Sequence, residues 1–422
     1  MDLSSTLMNA SPPPPTKTTS SLQQRAPLLG GIAFASLVTG LIWLLGPRLD
    51  AIALLPDAGP SWYFWKLPEP TLLSRAVVWG LYVAHQVSLW ALIWWAQVKR
   101  PNYAAGVGRI NVIALAVNAF FVLAHVAQTH LTYDGLAQDV SIWSSQGAVI
   151  VMLVWILLLE NPRRGLVFGV KLPMGAAFKQ FVRRYHGYFF AWAIVYTFWY
   201  HPAVATEGHL WGFFYTILLL VQSSLFFTRA HLNRYWTFAL EATVLVHGAL
   251  VAVGQGGGLW PMFAFGFGGL IVLTQMHGLG LSRLVRGVIV GLYAGLVAIV
   301  YADRGFGRID EIFRIPLIEV LAVLVLAGLF AGAFAMARRL TGTLRSESME
   351  AKVRDPMSAS VQPRVATLAG VLVIHVVAYA PMIIVFSRSD APIVAFLTLA
   401  VSAPILAVVS WRLARRESIA AA

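Results

Sequence analysis

Ten histidines stand at positions 85, 125, 130, 186, 201, 209, 231, 247, 277 and 375 of a chain without cysteine. The missing cysteine excludes disulfides, thiolate metal ligands, iron–sulfur clusters and a cysteine nucleophile. Imidazole is then the main candidate for metal, haem or proton chemistry. Two histidines close one segment, RRYHGYFFAWAIVYTFWYHP at 183–202, and eight of the fourteen residues between them are aromatic. As a helix, the fifteen steps from His186 to His201 rise about 22 Å. They turn so that the two imidazoles end about 60° apart, one above the other. Two b-type haems stacked across a membrane need such a pair, each histidine giving one axial nitrogen and a facing helix the other.

The elements that position these residues follow from composition. Hydrophobic residues make up 58% of the 422, charged residues only 12%, and the mean hydropathy is +0.72. Soluble domains average roughly 25% charged residues. Apolar runs of about 20 residues, the length that crosses about 30 Å of hydrocarbon as a helix, recur throughout. The fold class expected is all-α, a polytopic membrane bundle of about twelve helices. They are placed at 27–45, 70–97, 109–131, 140–159, 180–201, 210–227, 233–253, 259–279, 285–302, 315–337, 365–386 and 392–411. Basic clusters (Lys99/Arg100/Arg109, Arg163/Arg164/Lys171, Arg229/Arg234, Arg283/Arg286, Arg338/Arg339/Arg345, Arg412/Arg415/Arg416) fall in alternate connections. By the positive-inside rule, both termini are then cytoplasmic. The same rule accounts for the net charge of +13 without a nucleic-acid partner.

Residues 1–26 read as a disordered, proline-rich tail without the features of a secretory signal. Residues 27–341 read as a ten-helix bundle, 342–364 as a cytoplasmic linker, 365–414 as a two-helix hairpin and 415–422 as a short tail. The stretch 49–70, with Trp62, Tyr63 and Trp65, suits the headgroup level. The expected location is the cytoplasmic (inner) membrane of a bacterium, with the lipid bilayer as the first partner.

Ionisable residues inside spans are costly and usually face the bundle interior. The topology sets His125, His130, His201, His209 and His247 toward the outer face. His186, His231 and His277 lie toward the inner face, and His85 and His375 mid-membrane. His85 and His375 read as packed polar residues bonded to a neighbouring helix, and His209 and His231, bordering water, as solvated.

RRYHGYFFAWAIVYTFWYHP resembles the haem-bearing helix of ferric-reductase-like, cytochrome b-type transmembrane domains. In these, a basic pair precedes histidine, glycine and aromatics follow, and a second histidine closes the helix. The stretch WGFFYTILLLVQSSLFFTRAHLNRYWTFALEATVLVHG at 211–248 is similar too, with its glycine-led span, Ser223 and Ser224, basic turn and late histidine. The resemblance covers about residues 178–253. It implies His186 and His201 as axial ligands of an inner and an outer haem b, and His247 as the outer haem's second ligand. Residues 233–246 hold no histidine, so His277 is the candidate for the missing inner ligand. No segment is large enough for the family's nucleotide-binding domain, so electrons would come from a soluble or membrane redox partner docked on the basic cytoplasmic loops. The implied activity is electron transfer across the membrane or to quinone.

Two other readings compete. A proton-coupled secondary transporter would use Glu241, an acid well inside span seven, with His85 and His375 as its relay. Against it, the long loop follows span ten and no internal symmetry is evident. A lipid-modifying membrane enzyme would hold a single Zn, Fe or Cu ion on His125, His130, His201, His209 and His247. Neither demands a haem, and the transporter needs no cofactor at all. Walker A, G-x-S-x-G and H-E-x-x-H motifs are absent. Glu319, near the start of span ten, is expected to reach the interface. PMFAFGFGGLIVL in span eight is expected to pack closely against a neighbour.

Overall fold

The computed structural model describes residues 19–58, 65–99 and 103–346. The expected spans at 365–386 and 392–411, the linker beyond residue 346, His375 and most of the aromatic stretch near 62 lie outside the described residues.

Each of the ten spans expected between residues 27 and 337 corresponds to a helix. They are α1 (Thr19–Leu45), α2 (Leu72–Lys99), α3 (Arg109–Thr132), α4 (Ile142–Arg164), α5 (Ala176–Tyr200), α6 (Glu207–Ser224), α7 (Arg234–Gly254), α8 (Trp260–Leu273), α9 (Arg283–Arg304) and α10 (Glu311–Ser346). The chain is an all-α, multi-pass membrane protein: α1, α2, α3, α4, α7, α9 and α10 are long and apolar enough to cross a bilayer. Starts are set by side-chain caps, as Ser141, Thr206 and Ser282 accept backbone N–H groups of α4, α6 and α9. Two edges differ from expectation. α1 begins at Thr19, inside the presumed tail, and α10 runs on to Ser346, into the presumed linker. The expected span 259–279 is also not one helix. α8 stops at Leu273, and a 3₁₀ turn, Gln275–Gly278, follows.

The sequence suggested one ten-helix bundle; the described residues divide into two compact units. Unit 1 takes its residues from 1–55, 67–135 and 194–254. In it α6 packs on α1, α3 and α7, and α2 on α3. Small residues set these spacings. A Cβ on Gly31 would lie 2.7 Å from Val221, and one on Gly208 3.2 Å from Val251. Asn111 and Asn118, two turns apart on α3, clamp the end of α6. Asn111 Nδ2 donates to the Ser224 and Phe226 carbonyls at 2.9 and 2.8 Å. Arg75 and Ser74 of α2 hold Asp134, at 2.6 and 2.8 Å.

Unit 2 takes its residues from 56–66, 136–193 and 255–422. Here α8 packs on α9 and α10, and α4 packs on α10 and on the 275–278 turn. Phe265, Val297, Tyr301 and Ile312 form its core. The glycines of α8 serve close packing, as expected: a Cβ on Gly266 would meet Ile315 at 2.8 Å, and one on Gly269 would meet Pro316 at 3.2 Å. Arg304 grips Glu311 through two bonds of 2.8 and 2.9 Å, and Tyr301 donates to the same carboxylate. Glu319 does not reach an interface. It is 2% exposed, in the middle of the buried stripe of α10. The periodicity that buries Ile312, Pro316 and Val323 buries it too.

Candidate functional site

α5 ends at Tyr200 because Pro202 follows His201. The residue before a proline is pushed out of the helical region. His201 is therefore the first residue past the end of α5. The His201 backbone is held: its carbonyl accepts from His125 Nε2 at 2.8 Å, and Ala203 N–H donates to Thr129 Oγ1 at 2.9 Å.

Three residues into α6, His209 meets this loop. Its Nδ1 lies 2.6 Å from Oγ1 of the capping Thr206, and its ring stands edge-on to that of His201 at 5.0 Å. His209 is buried, not solvated; it sits under the loop that its own cap organises. From α7, His247 lies over Gly212, where a Cβ would come within 2.9 Å of its ring. Its ring bonds the Gly208 carbonyl, and its Nδ1 is buried with no hydrogen-bond partner. The sequence G-x-x-x-G at 208–212 thus brings α7 close enough for His247 to reach the His201–His209 pair. His201 lies within electrostatic reach of His209, His247 and His125, and His209 within reach of His247. Phe198 and Phe213 wall the group through their contacts with His125.

The structure narrows the other candidates. His125 has both ring nitrogens engaged, Nε2 by the His201 carbonyl and Nδ1 facing Gln128 Oε1 at 3.1 Å. It supports the loop, with Gln128 standing against its second nitrogen. His130 Nε2 is buried without a partner, but the ring lies near Arg48 rather than with the group. Among the described residues no set of three or more His, Cys, Asp or Glu side chains is placed to hold a metal ion.

His85 is fully committed. Trp199 Nε1–H donates to its Nδ1 at 3.1 Å, and its Nε2–H donates to Asn118 Oδ1 at 2.8 Å. Asn118 in turn donates to Ser224 Oγ at 2.8 Å, and Phe121 stacks on the ring at 4.4 Å. This is the packed, bonded histidine expected. Glu241 is buried on α7, within electrostatic reach of Tyr215 on α6.

On the inner-haem side, His277 lies in the turn after α8. Its Nε2 donates to the Val272 carbonyl at 3.2 Å, and Arg286 donates to its Nδ1 at 3.3 Å. With both nitrogens bonded, it has no lone pair for iron. His186 Nδ1 donates to the Arg183 carbonyl at 2.7 Å. His231 pairs with Gln222 instead of solvent: Nδ1 donates to the Gln222 carbonyl at 3.0 Å. Burial pushes its imidazole below the ordinary value.

Sequence reasoning missed Asn118, Trp199, Thr206 and Gly212. The signals present were the N-x₆-N spacing on α3, the threonine before an acidic helix start, and G-x-x-x-G. Comparison with protein-family models, with curated proteins and with solved structures finds no match for this chain.

Proposed function

We propose that the chain is an integral membrane redox protein in which His201 and His247 of unit 1 would hold one b-type haem, with His209 beside them. Twelve spans with cytoplasmic termini complete the reading and put this site toward the outer face. The observation that carries it is the buried Nδ1 of His247, bare of any hydrogen-bond partner, in the group with His201 and His209. Burying a polar atom unpaired costs free energy, and iron held there would remove that cost. The Gly208 carbonyl on the other side of the ring plays the orienting part that second-shell acceptors play for ligating histidines. Thr206 does the same for His209, and His125 fixes the backbone of His201. Phe198 and Phe213 keep water away. When bound, haem iron supplies one-electron chemistry. Because His277 is committed elsewhere, the reading is of one centre, and a quinone diffusing in the bilayer is the electron partner that fits it.

The test is optical. Protein expressed with haem supplied should show a reduced-minus-oxidised b-type α band, with about one haem per chain. His201→Ala and His247→Ala should each abolish it, while His186→Ala and His277→Ala should keep it. No band in the wild type, or different bound cofactors in the two abolishing variants, would overturn the proposal.

A further inference from the structure

One end of unit 2 gathers positive charge that its acids do not balance. α4 ends in Arg163 and Arg164, the following loop carries Lys171, and α9 opens with Arg283 and Arg286. Over 142–175 and 275–290 these five basic residues face a single acid, Glu160. The next acid along α9, Asp303, is 17 residues beyond Arg286, about 26 Å away along the helix.

The charges converge on the 275–278 turn. Gly278 has no side chain, so α4 comes close: a Cβ there would stand 3.1 Å from Arg164 Cβ and 3.3 Å from Arg163 Nη1. Arg163 Nη1 donates to the Gly278 carbonyl at 3.2 Å, and its other contact is the ion pair with Glu160. Arg164 is 3% exposed. At the adjoining residue, His277 Nδ1 accepts from Arg286 Nη1. Arg286 therefore leans on an imidazole instead of a carboxylate, and its Nε is buried without a hydrogen-bond partner.

The scaffold around these groups is fixed beforehand. Phe168 N–H caps the Leu273 carbonyl at 2.7 Å, and its ring stands edge-on to His277. That bond holds Phe168 at φ +48°, flanked by Gly165 at +76° and Gly169 at +85°, a left-handed stretch that a non-glycine residue adopts only under such constraint. Ser282 caps the start of α9, whose dipole adds positive potential.

Guanidinium forks match the oxygens of phosphate, and basic pockets between helices at a membrane face bind lipid headgroups. We propose that this end of unit 2 binds a phosphate-bearing anion, the headgroup of an anionic phospholipid, between Arg163, Arg164 and Arg286. The proposal is independent of the haem reading.

Native mass spectrometry of the full chain in mild detergent tests it, with phosphatidylglycerol, phosphatidylcholine and inorganic phosphate as probes. Wild-type protein should retain phosphatidylglycerol over phosphatidylcholine. Arg286→Gln should weaken that retention about five-fold, from about 1 kcal/mol per basic residue, and Arg286→Lys should weaken it less. Arg314→Gln, in an exposed ion pair with Asp310, should change nothing. Binding of inorganic phosphate with the same dependence on Arg286, and no lipid preference, would keep the anion site and make its ligand a soluble phosphate. If Arg286→Gln does not fold, the exposed Lys171→Gln and Arg283→Gln carry the test with the same direction of loss. Equal retention of both lipids, with no phosphate binding and no effect of these substitutions, would overturn the proposal.

Discussion

His85 and His247 show two ways in which an imidazole is kept inside an apolar helix bundle. His85 spends both nitrogens on Trp199 and Asn118, and its tautomer is set by them. His247 leaves Nδ1 bare. The two should therefore respond differently to the same change. His85→Leu strands the Trp199 N–H and the Asn118 carbonyl oxygen in the core, at about 1–3 kcal/mol each. A lowered Tm with an unaltered haem spectrum is the expected outcome. His247→Leu strands at most the Gly208 carbonyl, so it should lose the spectrum at a smaller cost in Tm. Equal losses of stability would make His247 another packing residue. The sequence shows which histidines fall within spans, and His85 was legible as a packed residue. It does not show the partners, because Asn118, Ser224 and Trp199 meet His85 only through the pairing of four helices.

At the scale of elements, long apolar runs made the helices legible, most ends to within a few residues, with α1 starting earlier and α10 ending later than the runs suggest. Their ends depended on local chemistry that the runs conceal. Pro202 takes His201 out of α5, and Thr206 restarts the helix so that His209 faces the same loop. α6 and α7 meet through Gly208 and Gly212, and a methyl group on Gly212 would stand 2.9 Å from the His247 ring. Gly212→Ala should therefore displace that ring and shift or remove the α band, with the helices still formed by circular dichroism. Gly147→Ala, on α4 with open space around its Cβ, should leave the band alone and, by helix propensity, stabilise by a few tenths of a kcal/mol up to about 1 kcal/mol. An unchanged spectrum in Gly212→Ala would separate His247 from the cofactor.

At the scale of the whole molecule, charge alternation depends on every expected span crossing, and α8 is the shortest of the ten helices. Its 14 residues rise about 21 Å, short of about 30 Å of hydrocarbon. The flanking residues make up the difference. Gly258, before α8, lies against Arg304 at the end of α9, and His277, after it, bonds Arg286 near the start of α9. Residues 258–277 therefore run most of the length of α9, with the 3₁₀ turn and the 255–259 segment completing what the helix leaves short. The parity read from Arg163/Arg164/Lys171 and Arg283/Arg286 requires the Phe168 loop and the 275–278 turn to share an end of unit 2, and the two are in contact. A chain without cysteine lets this be measured directly. Single cysteines at Lys171 and Arg283 should be blocked by a membrane-impermeant maleimide only after the membrane is opened. A cysteine at Asp310, across α9, should be blocked in intact cells. Labelling of Arg283→Cys and Asp310→Cys from the same side would mean that α9 does not cross. Labelling of Lys171→Cys from outside would reverse the orientation that the basic loops predict, and with it the face to which His201, His209 and His247 belong.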